Sequence, residues 1–378
     1  MNIVSPSHTF PSSQQKKNRW LITGGCGFIG TNLIRSLLDE DDNYYIRILD
    51  NLSVGDRDNL TQVCEFREST SPQSDGSSQV DLLLGDIRDY SICLKSCCDI
   101  DTVVHLAANA GVENSVENPR KDMETNVIGT FNMLEAAKQN KVKRFIFASS
   151  NAPVGFCKPP IHEELPPHPI SPYGSSKLAG EAYCSSFFHT YGIKTIILRF
   201  SNVYGPRSIH KNSVIAKFIK QVLIGKPLEL YGDGRQTRDY IYIDDLIHAI
   251  RRTADFRTDS KIGLSLRSKA SIGNETSDNT GQGGFIRESE LSLPWGEIFQ
   301  IASNHETSLN MLVEKLLFNL KNFGFSDIRL INSESRIGDM KFNFSDTSKV
   351  NELFGWKAKI SLDEGIKMTV KWFLEKFH

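Results

Sequence analysis

The sequence predicts an α/β protein: a doubly wound parallel sheet with a smaller C-terminal α/β lobe. Three observations predict it. From Arg19 onward, short apolar runs alternate with longer amphipathic stretches, the rhythm of βαβ units. A glycine-rich turn, Thr23–Gly30, follows the first apolar run directly. The chain has 378 residues, 39% hydrophobic and 24% charged, which suits a globular protein built from units of about 150 residues.

The runs Trp20–Thr23, Tyr45–Leu49, Asp81–Leu84, Thr102–Leu106, Arg144–Ala148 and Thr195–Arg199 are short and apolar enough to be strands buried on both faces. Between them Thr31–Leu38, Asn126–Lys138 and Ser175–His189 carry apolar residues at three- and four-residue spacing and predict helices. After Arg199 the texture loosens into loops around SNVYGPRS and YGDGRQTRDY, with helices near Ser213–Ile224 and Ser308–Leu320. These pieces are too short for a core of their own, so they predict a lobe packed on the first domain with a cleft between. The expected organisation is a tail at 1–18, a first domain at 19–200 and a second lobe at 201–378, the two interleaved. Two stretches lack periodicity, about 68–79 (ESTSPQSDGSSQ) and about 255–293, the latter with seven Ser and five Gly. They read as polar surface insertions, with a tolerated loop extension or a partner-binding element as the alternatives for the longer one.

Charge excludes some functions. With 44 basic and 45 acidic residues the net charge is −1, so no nucleic-acid-coating surface is expected and phosphate binding must be local. Seven cysteines, Cys26, Cys64, Cys93, Cys97, Cys98, Cys157 and Cys184, form no C-x-x-C pair. An odd count without that spacing points to reduced thiols, and no metal is expected. No run approaches the ~18 apolar residues of a membrane span, and the N-terminal segment lacks the apolar stretch of a signal peptide. The expectation is a cytoplasmic protein with no membrane association.

The turn TGGCGFIG (Thr23–Gly30) sits between a predicted strand and a predicted helix. Glycines there permit a tight turn, backbone approach to a pyrophosphate and close helix–sheet packing, with the helix N-terminus facing the anion. Asp50 lies twenty residues after Gly30 at the end of the next strand, where a carboxylate accepts hydrogen bonds from a ribose and repels a 2′-phosphate. The expected cofactor is therefore NAD. A third strand ends in GDIRD, where Asp86 and Ile87 are placed to meet an adenine, Asp86 being equally suited to cap a helix.

Tyr173 and Lys177 lie four apart in SPYGSSKLAGEAY, on one helical face. A tyrosine of ordinary pKa is a poor base near neutral pH, and a neighbouring ammonium together with a nicotinamide cation would stabilise its phenolate. That pairing makes a proton shuttle.

Taken in order, TGGCGFIG, LDN at 49–51, GDIRD, HLAANAGVENSVENP, NVIGT, FASSN, YGSSK, RFSNVYGP, YGDGRQTRDY and RIGD resemble the extended short-chain dehydrogenase/reductase family, in its nucleotide-sugar epimerase/dehydratase branch. The resemblance runs from about Trp20 to the C-terminus apart from the two insertions. It implies a Rossmann domain holding NAD and a C-terminal lobe holding a nucleoside diphosphate-sugar, in a homodimer paired through the Tyr173 helix. By position it implies Ser150 as the hydroxyl at the sugar O4, Tyr173 as proton acceptor, and Lys177 as the group that binds the nicotinamide ribose and lowers the tyrosine pKa. Gly24, Gly27, Phe28, Ile29 and Gly30 would line the pyrophosphate, Asp50 and Asn51 the adenosine ribose, Asp86 and Ile87 the adenine, with Ala107 and Asn126 flanking the dinucleotide. Ser149 reads instead as a strand-end hydroxyl satisfied by backbone.

On the substrate side the resemblance implies Arg238 and Arg336 as the diphosphate arginines, Asn202 as an amide contact to the same group, Val214 and Tyr231 as nucleoside-pocket residues and Asp339 as a ribose ligand. Dehydratases of the branch commonly carry Asp-Glu directly after the catalytic hydroxyl, and decarboxylases a Glu at the second place. Here those positions are Asn151 and Ala152, which transfer no protons usefully. The expectation is thus 4-epimerisation of a UDP-sugar through a transient 4-keto sugar, with a dehydratase or other deoxy-sugar enzyme, or a non-catalytic NAD scaffold, as alternatives. Pro153-Val154-Gly155 departs from the branch's usual V-Y-G, removing an aromatic beside the sugar. Asn343, seven after Arg336, replaces a bulky aromatic of hexose-restricted epimerases and leaves room for a 2-acetamido sugar.

Overall fold

The computed structural model describes residues 17–40, 43–71, 78–256, 293–334 and 341–377. The first 200 residues supply strands β1 (Asn18–Thr23), β2 (Tyr44–Asp50), β3 (Arg67–Ser69), β4 (Val80–Leu84), β5 (Thr102–His105), β6 (Arg144–Ser150) and β7 (Lys194–Phe200). There follow β8 (Asn202–Tyr204), β9 (Leu228–Tyr231), β10 (Thr237–Arg238), β11 (Tyr240–Tyr242), β12 (Ile298–Ile301), β13 (Thr307–Ser308) and β14 (Leu330–Ser333). Eight strands make one parallel sheet in the order β12-β7-β6-β5-β1-β2-β4-β3. The order reverses at β1, as in a doubly wound sheet. The remaining strands form three smaller pairs, β8 with β11, β9 with β14 and β10 with β13.

The strands are apolar at successive positions because both faces of the sheet are covered. In β1, Trp20 and Ile22 point to one core and Leu21 to the other; in β7, Ile196 and Leu198 oppose Ile197. On the first face pack the helices Phe28–Glu40, through Leu33, Ile34 and Leu37, and Ile243–Ala254, through Leu246, Ile247 and Ile250. That core continues into Leu312 and Leu316 of the helix Leu309–Asn322 and Val370 and Phe373 of the helix Leu362–Phe377. On the second face lie Gly129–Gln139 and Pro172–Tyr191. Among the described residues no helix is long and apolar enough to cross a membrane, and all seven cysteines are free.

Two elements differ from the sequence expectation. The first polar stretch begins inside the sheet: Glu68 and Ser69 belong to β3, which Arg67 fastens to β4 by a two-pronged bond to Asp81 (Nε–Oδ1 3.0 Å, Nη2–Oδ2 2.8 Å). Residues 72–77 of that stretch, and 257–292 of the longer one, lie outside the described residues, as does 1–16 of the tail. The eighth strand, β12, carries no alternating signal because it is a four-residue edge piece, and its Gln300 is fully buried. On either side of 257–292, Phe256 and Trp295 meet edge to face at 5.6 Å.

The helix Pro172–Tyr191 starts three residues before the expected Ser175, because Ser171 caps it by accepting from Gly174 N at 3.1 Å and Pro172 fits its first turn. It is bolted to the sheet by charge. Arg199 in β7 donates to Glu181 through Nε (2.8 Å to Oε1) and Nη2 (2.7 Å to Oε2), and Ser149 in β6 donates to Oε1 at 2.5 Å. The two charged side chains are 2% and 3% exposed. Removing one partner of such a pair strands the other charge in the interior. Glu181→Gln is therefore expected to destabilise the protein by about 3–5 kcal/mol, measured by urea unfolding; a loss below about 1 kcal/mol would show that the pair does not hold the helix.

Candidate active site

Every strand of the sheet points its carboxyl end to one rim, the side on which such sheets bind ligands, and Gly24, Asp50, Asp86, Ala107 and Ser150 lie at or just after the ends of β1, β2, β4, β5 and β6. At the end of β1 the chain turns through Gly24 at φ +70°, donating from Gly24 N to Leu49 O at 2.9 Å. A Cβ on Gly24 would lie 2.9 Å from Ala107 N, and one on Gly30 only 2.5 Å from Gly24 O. These two glycines are thus required by the close approach of turn, helix and β5. Gly27 differs: a Cβ there would meet only Gly24 O, at 3.2 Å, and would otherwise project into the space before the helix. The helix Phe28–Glu40 begins at Phe28, so the N–H groups of Phe28, Ile29 and Gly30 have no carbonyl one turn back.

Asp50, at the end of β2, accepts from Cys26 N (2.9 Å) and Leu52 N (2.8 Å). Burial raises its pKa, and those backbone donors oppose the rise. Asn51 donates to Asp86 Oδ2 at 2.8 Å, and Arg88 grips both Asp86 oxygens at 2.9 and 2.8 Å. The Arg88 bonds hold the Asp86 carboxyl well below the usual range. The cap alternative for Asp86 falls, since Asp89 caps the helix Tyr90–Ser96. Ile87 is buried, its Cδ1 only 2.6 Å from where a Cβ on Gly129 would sit. Ala107 N donates to Thr23 Oγ1 at 3.1 Å. A glycine cradle open at Gly27, free helical N–H groups and a carboxylate at the end of β2 fit NAD, since a carboxylate placed there would repel a 2′-phosphate.

Asn126 sits in a single π-helical turn, Glu124–Ile128, that interrupts the expected helix. Its amide is spent inside the protein: Oδ1 accepts from Asn109 N (2.8 Å), and Nδ2 reaches Asn109 O (3.1 Å), Asp122 Oδ1 (2.9 Å) and Ser176 Oγ (3.1 Å). It ties the loop after β5 to the Tyr173 helix.

At the end of β6, Ser150 accepts from Ala152 N at 3.2 Å and stands near enough to Tyr173 to favour its phenolate. Lys177 Nζ donates to Ala148 O at 2.8 Å and lies 5.9 Å from the Tyr173 ring centre. The protein alone does not deliver the expected lowering of the tyrosine pKa. Burial pushes Tyr173 up to about 12, Ser150 opposes this and Asp122 adds to it. Burial likewise lowers Lys177 to about 8, against the pull of Asp122 and Glu181. Ser149 also departs from expectation, because its partner is the Glu181 carboxylate and not backbone.

Asn151 is buried and donates to Ser345 Oγ (2.9 Å) and to Asn343 Oδ1 (3.5 Å). Asn343, itself buried, donates from its N to Thr237 Oγ1 at 3.4 Å. The tail segment around Asn343 is thereby joined to the residue after Ser150. Val154, where an aromatic was expected in the branch, is a buried core residue. Asn202 starts β8 and donates to Asp239 O at 3.1 Å; Val214 opens the helix Val214–Leu223; Tyr231 ends β9, its hydroxyl on Glu229 at 2.7 Å; Arg238 in β10 donates to Thr237 O at 2.7 Å. Arg336 and Asp339 lie outside the described residues.

Sequence reasoning missed Glu181, Arg199 and Asp122. Glu181 follows Lys177 by four and Tyr173 by eight, on one face, and an arginine inside TIILRF needs a buried partner; both signals were readable. Asp122, 1% exposed, had none. In the nucleotide-free protein the depressed Lys177 pKa means that between about 8 and its ordinary 10.5 the unfolded chain binds more protons, so stability rises with pH across that window. Lys177→Met is therefore expected to be favoured over wild type most below about pH 8, by a pH-dependent part on the order of 3 kcal/mol that vanishes toward higher pH in urea melts. A difference independent of pH would contradict the burial of a charged lysine.

A family model described as "NAD dependent epimerase/dehydratase family" matches residues 20–263. A putative UDP-glucose 4-epimerase of Methanocaldococcus jannaschii is 34% identical over 359 residues, covering 93% of this chain and 97% of that one. Among solved structures, the UDP-glucose 4-epimerase of Thermotoga maritima with UDP-glucose superposes with a TM-score of 0.76 at 31% identity, covering 95% of this chain and 100% of the other. The UDP-N-acetylglucosamine 4-epimerase of Methanobrevibacter ruminantium M1, in complex with UDP-N-acetylmuramic acid, gives 0.75 at 29% identity, with 96% and 100% covered.

Proposed function

The chain belongs to the NAD-dependent epimerase/dehydratase family, and from that premise we propose that it interconverts the C4 epimers of a UDP-sugar, with NAD restored at the end of each turnover. One observation carries the choice of reaction. The two positions after Ser150 are Asn151, whose amide is tied to Ser345 and Asn343, and Ala152. Neither removes a proton from C5 nor delivers one to a leaving hydroxyl. That leaves Tyr173, beside Ser150, as the group that handles the O4 proton.

NAD at the glycine-rich turn supplies reversible hydride acceptance and a positive nicotinamide charge. Gly24, Gly27, Phe28, Ile29 and Gly30 would hold its pyrophosphate, Asp50 and Asn51 its adenosine ribose, Asp86 and Ile87 its adenine, and Ala107 and Asn126 would flank it. Ser150 hydrogen-bonds the sugar O4 and Tyr173 takes the O4 proton. With its pKa near 12 in the protein alone, Tyr173 works as a base only when positive charge is added beside it, which couples proton removal to a loaded cofactor site. Lys177 binds the nicotinamide ribose and stays protonated between Asp122 and Glu181. Arg238, Arg336 and Asn202 grip the diphosphate, Val214, Tyr231 and Asp339 the nucleoside, so that the 4-keto sugar turns about its diphosphate link and receives hydride on its other face. Residues 19–200 serve chiefly the cofactor and 201–378 chiefly the sugar nucleotide, the two interleaved at the reacting carbon. Asn343, small and buried beside Asn151, suits a 2-acetamido sugar as well as a hexose.

The expected homodimer finds support in large apolar side chains exposed on helices next to the site: Val116 at 64%, Ile128 at 45% and Tyr191 at 49%. Val116→Lys combined with Ile128→Lys is expected to give a monomer by sedimentation equilibrium; an unchanged mass would place the interface elsewhere. In a panel of UDP-, dTDP-, GDP- and CDP-sugars followed by NMR, a UDP-sugar is expected to yield its C4 epimer at unchanged mass, and a 4-keto-6-deoxy product would overturn the reading. Tyr173→Phe should lower turnover by about 10²–10⁴. Asn343→Tyr should cut turnover of the 2-acetamido sugar relative to the hexose by about tenfold or more; equal effects on both would remove Asn343 from substrate selection.

A further inference from the structure

The segment Gly205–Asn212 lies across the glycine-rich turn, and three sets of bonds keep it there. Asn32, in the helix Phe28–Glu40, donates to Pro206 O at 3.2 Å and to Phe28 O at 2.8 Å, and accepts from Arg207 Nη1 at 3.1 Å. His210 Nε2 stands 3.0 Å from Asp56 Oδ2, in the loop after β2. Lys220 Nζ donates to the carbonyls of Ile209 and Lys211 at 2.9 Å each. The bend is sharp enough to put Arg207 at φ +68°.

This strap places the Lys211 ammonium 5.2 Å from the centre of the Phe28 ring, at the first residue of the helix whose N-terminus forms the turn. The other cations around the turn are committed: Arg35 to Asp244 at 3.0 Å, Arg57 to both oxygens of Glu68, Arg207 to Asn32. Among the described residues Lys211 forms no ion pair. Lys211 is partly buried, which lowers its pKa to about 8, and among the described residues no carboxylate opposes the fall. Desolvating a cation without a counter-charge is unfavourable, and the cost is offset when an anion arrives beside it. The helix N-terminus under Phe28 is where a phosphate is stabilised.

We propose that Lys211 is a ligand of the dinucleotide diphosphate, reaching over Phe28 from the 205–212 strap to donate to a phosphate oxygen held at the N-terminus of the helix Phe28–Glu40. The strap belongs to the part of the chain that follows β7, so the cofactor is gripped from both halves of the molecule. The proposal rests on the assignment of the glycine-rich turn to NAD and is independent of the epimerase reading.

The test is calorimetric titration of the full-length, nucleotide-free protein with ADP-ribose, adenosine and UDP, for wild type, Lys211→Met and Lys211→Arg. Lys211→Met is expected to bind ADP-ribose about tenfold more weakly or worse, to bind adenosine and UDP like wild type, and to be largely rescued in Lys211→Arg. Equal ADP-ribose affinities in wild type and Lys211→Met overturn the proposal. So does a loss confined to UDP, which would put Lys211 on the sugar nucleotide, and so does a parallel loss of adenosine, which would mark general damage to the turn. Failure of the wild type itself to bind ADP-ribose would refute the turn's assignment, and this proposal with it.

Discussion

The site depends on seating one ammonium group inside the protein. Lys177 is 5% exposed, and among the described residues its Nζ has a single hydrogen-bond partner, Ala148 O. A lone cation there would lose its proton or unfold its surroundings. Two carboxylates, Asp122 and Glu181, act on it through space, and a second cation, Arg199, is bonded to Glu181. Two positive and two negative groups thus share one buried neighbourhood with no net charge. Each is fixed by a different element: Glu181 by β6 and β7, Asp122 by the π-turn through Asn126. The bonds of this network join the Tyr173 helix to the sheet and the loop after β5 to that helix, beside the apolar packing of Cys184 and Phe187.

From this follows the chemistry of Tyr173. The balanced network offers its hydroxyl no surplus positive charge, so burial dominates and the phenol stays protonated near neutral pH. On the proposed reading, proton acceptance by Tyr173 is therefore conditional on charge brought in with the dinucleotide. Such an arrangement keeps a buried base silent until hydride transfer is ready to accompany it. His105, neutral because burial lowers it to about 3, bridges Thr23 Oγ1 (2.8 Å) and Thr130 Oγ1 (3.1 Å) beneath the same rim. It connects the cofactor turn to the second-face helix without adding a charge.

Much of this was legible in the sequence wherever the signal was local. Apolar runs marked the central strands, since a sheet covered on both faces needs them. Gly24 and Gly30 were readable because backbone crowding admits no side chain there, and Tyr173 with Lys177 because helical spacing puts them together. Long-range pairings were harder. The partner of Ser149 is 32 residues away, and that of Asn151, beside Ser150, is Ser345. The strand Ile298–Ile301 is defined by its pairing with β7 rather than by its own pattern. Spacing also places the lysine near Tyr173 but says nothing of the burial that raises the tyrosine pKa in the protein alone.

The central claim is a closed cycle at C4, with the hydride leaving and returning to the same carbon and Tyr173 handling only the O4 proton. It is tested most directly with a UDP-sugar deuterated at C4, turned over in ordinary water and analysed by mass spectrometry and NMR. The account predicts that the epimer keeps its deuterium at C4. Loss of the label to solvent, or its appearance at C6 of a deoxy product, would contradict it.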